Sequence, residues 1–223
     1  HRIPEKGKLA WFMKFTGKTR RCSLASPFCR PFSVKRCFFK VSAMPQGRPK
    51  VIAVLGNRKS GKTRVVEFLI SNLSGRGFKV GSVKHIHDPD FSIDTGGKDT
   101  WRHTQAGAKV TASVAKGELA VIRKMDTTRY GLDDIVNLFR GEDLDLIILE
   151  GFKHLVANNG SVLKIVTAKS LSDLEGLLPS LKPPVVVASP RVAEVKKAFK
   201  LEVIDPATEG SRLLQLVERE LST

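Results

Sequence analysis

Val51-Ile52-Ala53-Val54-Leu55, followed by Gly56-Asn57-Arg58-Lys59-Ser60-Gly61-Lys62-Thr63 and an amphipathic run to Leu73, is the stretch on which the fold turns. The five aliphatic residues are an unbroken apolar run bounded by glycine, the mark of a strand buried on both faces. Beyond Thr63, the residues Val65, Val66, Leu69, Ile70 and Leu73 recur at helical spacing until Ser74-Gly75 and Gly77 close the helix. The octet between them satisfies G-x-x-x-x-G-K-[ST] at every defined position, in the strand–loop–helix setting that gives this motif its meaning. Gly56 and Gly61 allow successive backbone N–H groups to turn toward phosphate oxygens, and the helix start adds its positive end. Lys62 is expected to reach the β- and γ-phosphates in a catalytic role, and the Thr63 hydroxyl to ligate Mg²⁺. Asn57, Arg58, Lys59 and Ser60 complete the cradle. The charges of Arg58 and Lys59 fit a polyphosphate and a solvated surface equally well.

Strand and helix patterns alternate on either side of this loop. Strands are expected near 79–85, 109–114, 119–122, 144–149, 162–166, 184–188 and 203–204, and helices near 63–73, up to 105, after Gly131, and at 171–178, 191–199 and 209–221. Doubly apolar strands separated by helices predict an α/β fold of the P-loop NTPase type, a mostly parallel sheet with helices on both faces. Ligands of such sheets gather at the carboxyl ends of the strands. Glu150 ends the apolar run 146–149 and is expected to hold Mg²⁺ or its water shell together with Thr63, the alternative being a strand-end acid that faces water.

From Lys84 to Arg102 the chain carries His85, His87, four aspartates and several cations in a loop that starts at a strand end. Lys84, His85, Lys98 and Arg102 are candidates for an anionic ligand, and Asp94 for the metal's water shell or for catalysis. His85 and His87 fit either a transition-metal pair or satisfied surface polarity, and the aspartates either chemistry or turn caps. Phe91, Trp101 and Phe152 are candidate partner contacts or members of the core.

The chain is 223 residues long with 38 Lys and Arg against 22 Asp and Glu, a net of +16. Residues 1–50 hold 13 of those cations and one acid, Glu5, together with Cys22, Cys29 and Cys37 and half of the phenylalanines. The expected organisation is therefore a basic N-terminal appendage over 1–43, disordered or foreign to the protein beginning at Met44, a linker over 44–50 and a nucleotide-binding domain over 51–223. The appendage imitates a transit peptide in composition and fits RNA in charge and aromatics, but the domain itself is nearly balanced, so nucleic acid ranks last among the partners. Absence of cysteine after Cys37 suits a reducing compartment, with the cytoplasm as default, and no apolar run is long enough for a membrane.

Four ordered motifs carry a family resemblance: Gly56–Thr63, Lys84-His85-x-His87, Asp94-x-x-Gly97-Lys98-Asp99-Thr100-x-Arg102 with Ala106-Gly107-Ala108, and Glu150-Gly151-Phe152-Lys153. Together they resemble the molybdopterin-guanine dinucleotide biosynthesis protein B family over residues 51–153. Residues 154–223 share only the alternation, and 1–43 none of it. The resemblance implies a GTP-binding protein with weak GTPase activity, usually a homodimer, that assists a molybdopterin guanylyltransferase in attaching GMP to molybdopterin. It also implies that Thr63 with Glu150 or Asp94 attends the Mg²⁺. No Asn-Lys-x-Asp segment is present, so guanine preference is implied by the family alone. The rival readings are a P-loop small-molecule kinase, with Lys84–Arg102 binding the acceptor, and a metallochaperone GTPase using His85 and His87.

Overall fold

The computed structural model describes residues 48–222; the expected appendage at 1–43 and most of the linker lie outside the described residues. Eight strands run in the order β1 (Lys50–Leu55), β2 (Val80–Lys84), β3 (Val110–Val114), β4 (Leu119–Arg123), β5 (Leu146–Glu150), β6 (Leu163–Thr167), β7 (Val185–Ala188) and β8 (Glu202–Ile204). The helices between them are α1 (Lys62–Gly75), α2 (Asp99–Gln105), α3 (Leu132–Asn137), α4 (Lys153–Val156), α5 (Leu171–Leu177), α6 (Val192–Ala198) and α7 (Gly210–Ser222). Lys50, placed in the linker by composition, already belongs to β1, where it pairs with Leu146.

Six strands form one sheet in the order β2-β5-β1-β6-β7-β8, with every pair parallel. Side chains of successive strand residues point to opposite faces, and the core divides accordingly. Ile52, Val54, Ile148 and Ile165 pack with Leu69 and Leu73 of α1 and Leu213 and Val217 of α7 on one face. Ala53, Leu55, Leu149 and Val166 pack with Ile135 of α3, Leu174 of α5 and Val195 of α6 on the other. Each fully buried aliphatic side chain contributes about 1.5–3 kcal/mol, so a strand covered on both faces must be apolar throughout. Polar residues enter such strands only at their ends, as Glu150 and Thr167 do, and at Lys164. It is wholly buried in β6, and its ammonium donates to the Val162 carbonyl at 2.7 Å and to the Asn159 carbonyl, which satisfies a charge that burial would otherwise penalise.

The strands at 110–114 and 119–123 do not join this sheet. They form a separate two-stranded antiparallel hairpin closed by an Ala115 N–H to Glu118 carbonyl bond of 2.8 Å. The reason lies in the connection. Four residues can join antiparallel neighbours, whereas a parallel crossover takes a dozen or more.

Candidate functional site

The cradle follows directly from the end of β1. Gly56 (φ 152°) and Gly61 (φ 97°) take positive backbone angles, as does Lys59 (φ 62°). Ser60 Oγ bonds Thr167 Oγ1 at 2.7 Å, and Thr167 Oγ1 in turn donates to the Leu55 carbonyl at 3.2 Å, tying the loop to the end of β6. On the same side Asn57 Nδ2 donates to Asp173 Oδ1 at 2.6 Å, and this bond leads the interactions that hold the Asp173 carboxyl below the usual carboxylate range. Thr167 and Asp173 were invisible to motif reading because they lie over a hundred positions from their partners.

Lys62 Nζ sits over the loop, donating to the Gly56 and Asn57 carbonyls at 2.9 and 2.8 Å. Burial lowers its pKa from the ordinary lysine value; the Glu150 carboxylate opposes that shift and the neighbouring Lys84 charge adds to it. Thr63 Oγ1 donates to Glu150 Oε1 at 3.0 Å, and Lys84 Nζ lies 3.3 Å from the same oxygen. One hydroxyl and one carboxylate oxygen beside a phosphate cradle are hard donors of the kind Mg²⁺ prefers, so the residues present fit a polyphosphate with its metal.

Immediately after Glu150 the backbone passes through two left-handed residues, Gly151 (φ 92°) and Phe152 (φ 60°). The second is a strained state for a bulky side chain, and it starts the one-turn helix α4, which sequence periodicity is too short to reveal. Phe152 is buried in the core, so of its two readings the core one holds. Phe91 is exposed and Trp101 half-buried.

His85 stands beside His87 (Nδ1 to Nε2, 3.3 Å) and His154, with ring centroids at 4.2 and 5.2 Å, and against Phe152 at 4.9 Å. Burial lowers the His85 pKa, with the two neighbouring histidines adding to the shift. Among the described residues no group of three His, Cys, Asp or Glu side chains converges on a metal position.

A continuous cleft runs along the carboxyl edge of the sheet. The loop residues 56–63 line it with Lys84, His85, Glu150 and Thr167. Asp94, Lys98 and Arg102 do not line it. Only 84–88 of the His- and Asp-rich segment border the cleft. Asp94 is buried and accepts the Thr100 hydroxyl at 2.9 Å, closing the turn into α2, while Arg102 lies 3.8 Å from Asp99. The chain has by then moved toward the hairpin, against which α2 packs. The other carboxylate oxygen of Asp94 is buried without a partner among the described residues.

Among the described residues no helix is long and apolar enough to cross a membrane. The family model for molybdopterin guanine dinucleotide synthesis protein B matches residues 51–189, which extends the resemblance from the motifs to the end of β7. A probable molybdopterin-guanine dinucleotide biosynthesis adapter protein of Bacillus subtilis is 31% identical over 128 residues, 57% of this chain and 69% of that protein. A putative adapter protein of the same description from Methanocaldococcus jannaschii is 31% identical over 120 residues, 54% of this chain; the chain thus spans about half of that relative's length, 47%. The crystal structure of Bacillus subtilis MobB superposes with a TM-score of 0.60 at 25% identity, covering 77% of this chain and 97% of that one. The MobB homologue of Bacillus stearothermophilus shares the fold, with a TM-score of 0.54 at 22% identity over 78% of this chain and 99% of that one. With the cradle and the strand-end glutamate both in the matched region, the chain belongs to the molybdopterin guanine dinucleotide synthesis protein B family.

Proposed function

We propose that this protein is a GTP-binding adaptor of molybdenum cofactor biosynthesis that assists a molybdopterin guanylyltransferase in attaching GMP to molybdopterin. The observation that carries the reading is the Thr63–Glu150 contact beside Lys62 and the Gly56–Thr63 loop. The loop amides and Lys62 would bind the phosphates, while Thr63 and Glu150 would hold Mg²⁺, whose charge offsets that of the phosphates when bound. Hydrolysis by the chain alone would be slow, because fast phosphoryl transfer needs an oriented water and a fixed countercharge, and the carboxylates that touch the cradle are already engaged, Glu150 by Thr63 and Lys84 and Asp173 by Asn57. The kinase reading has Lys84–Arg102 bind the acceptor, and of that segment only 84–88 border the cleft; Lys98 and Arg102 are exposed outside it, a place that suits a protein partner. Association with the guanylyltransferase is expected to be tighter with GTP than with GDP or no nucleotide. Calorimetric titration in the three states tests this, and no association in any of them would reject the adaptor role.

The hairpin supports a homodimer. Its register puts Val110, Ala112, Val114, Leu119 and Val121 on one face, and the four large members are exposed, Val114 to 81%. A lone two-stranded hairpin is marginal in water, and an apolar exposed face of this kind marks an interaction surface. With Arg123 as the only charge on that face, the matching surface must be equally apolar; a second copy brings the same patch in a self-complementary contact. Light scattering is expected to give a dimer that Val121→Lys converts to a monomer with unchanged nucleotide affinity. A monomeric parent protein would exclude this role for the hairpin.

A further inference from the structure

We infer that the nucleobase is received at the carboxyl ends of β7 and β8, and that the Asp205 carboxylate there selects guanine. The inference rests on the nucleotide-binding reading and adds to it a base site that no sequence motif reveals.

The direction of the bound nucleotide follows from the cradle. Thr63, Glu150 and Lys84 lie on the side of the loop facing β5 and β2, and the metal and cation there belong with the terminal phosphates. The nucleoside must then leave on the opposite side, over β6 toward β7 and β8. The cleft continues that way without interruption, past Thr167 and Lys169 to Pro190 and Arg191 after β7 and Asp205 and Pro206 after β8. From β1 to β8 are three strand spacings, about 14 Å, the scale of an extended nucleotide from its inner phosphates to the far edge of its base.

Four carboxylates line the cleft: Asp88, Glu150, Asp173 and Asp205. Glu150 is engaged by Thr63 and Lys84. Asp173 accepts Asn57 on one oxygen and the Lys169 N–H on the other. Asp88 follows β2, on the phosphate side. Asp205 accepts the Ala207 N–H on Oδ1 at 2.9 Å, and its Oδ2 has no hydrogen-bond partner among the described residues. Its backbone is fixed, because the Asp205 carbonyl accepts the Thr208 and Glu209 N–H groups at 3.3 and 2.7 Å. A held carboxylate with a free oxygen matches guanine, which offers N1–H and its exocyclic amine side by side as donors. Adenine presents a lone pair at N1 and would be repelled. A site that depends on a donor rejects analogues lacking it more strongly than an apolar pocket can.

Titration of the full chain with GTP, ITP, XTP and ATP tests this. The unaltered protein is expected to prefer GTP over ITP, which lacks the amine, and over ATP, each roughly tenfold or more. Asp205→Asn keeps the turn, since Asn accepts the same backbone N–H, but removes the charge and supplies an amide donor. It should weaken GTP about tenfold and improve XTP, whose C2 carbonyl can accept that donor. Lys62→Ala should weaken all four alike. Equal affinities for GTP, ITP and ATP in the unaltered protein, or an unchanged GTP preference in Asp205→Asn, would overturn the assignment and leave the phosphate cradle standing. Failure to bind any triphosphate would overturn both.

Discussion

Replacing Lys62 by alanine is expected to weaken GTP binding by about 1.5–3 kcal/mol, the contribution of a hydrogen bond to a charged group. That corresponds to roughly a 10- to 150-fold rise in Kd. The ammonium is already poised over the loop by the Gly56 and Asn57 carbonyls, at 2.9 and 2.8 Å, so little reorganisation is needed for it to meet phosphate. Those two bonds are small contributors to the fold, and the carbonyls they serve border an open cleft where water replaces the lost donor. The variant should therefore melt within a few degrees of the parent while losing affinity. Calorimetric titration with GTP and Mg²⁺, read beside a thermal melt, separates the two effects. An affinity equal to the parent's would remove Lys62 from the site, and a large loss of stability would make it a structural residue.

How far the site was legible depended on whether its parts are contiguous. The cradle is eight consecutive residues between a doubly apolar strand and an amphipathic helix, so its chemistry and its setting are both written locally. Glu150 was legible for a related reason: a long apolar run has one polar end, and in a parallel sheet that end is where ligands bind. Thr167, Asp173 and Asp205 were not, since each reaches the cleft only through strand order, and a threonine or aspartate after an apolar run has many structural uses. Conversely, Asp94, Lys98 and Arg102 looked like site residues because they are polar and close in sequence to His85. Sequence proximity did not carry them into the cleft, because α2 diverts the chain to the hairpin. That hairpin was itself open to detection. The four residues between Val114 and Leu119 exclude a parallel connection, so loop length and strand patterning together specify a hairpin.

Gly56→Ala is expected to damage both the fold and the site, and it tests how the cradle is held. A methyl group at this position would lie 2.3 Å from the Thr167 carbonyl oxygen and 2.5 Å from both Ser60 Oγ and Thr167 Oγ1. The first of these is backbone of β6, which is paired to β1 on one side and β7 on the other and cannot move without disturbing the centre of the sheet. The loop must move instead, breaking the Ser60–Thr167 bond and the bond from Thr167 to Leu55. Overpacking and two lost hydrogen bonds together cost roughly 2–5 kcal/mol, and the displaced amides no longer converge on phosphate. Gly61→Ala provides the contrast. Its Cβ meets nothing within 4 Å although φ is 97°, so the substitution carries only backbone strain, about 1–3 kcal/mol. Chemical denaturation should therefore rank the parent above Gly61→Ala and Gly61→Ala above Gly56→Ala, with GTP affinity lowest in Gly56→Ala. If Gly56→Ala matched the parent in stability and affinity, the anchoring of the loop to β6 through Thr167 would have to be abandoned, because no side chain can occupy that space while those bonds persist.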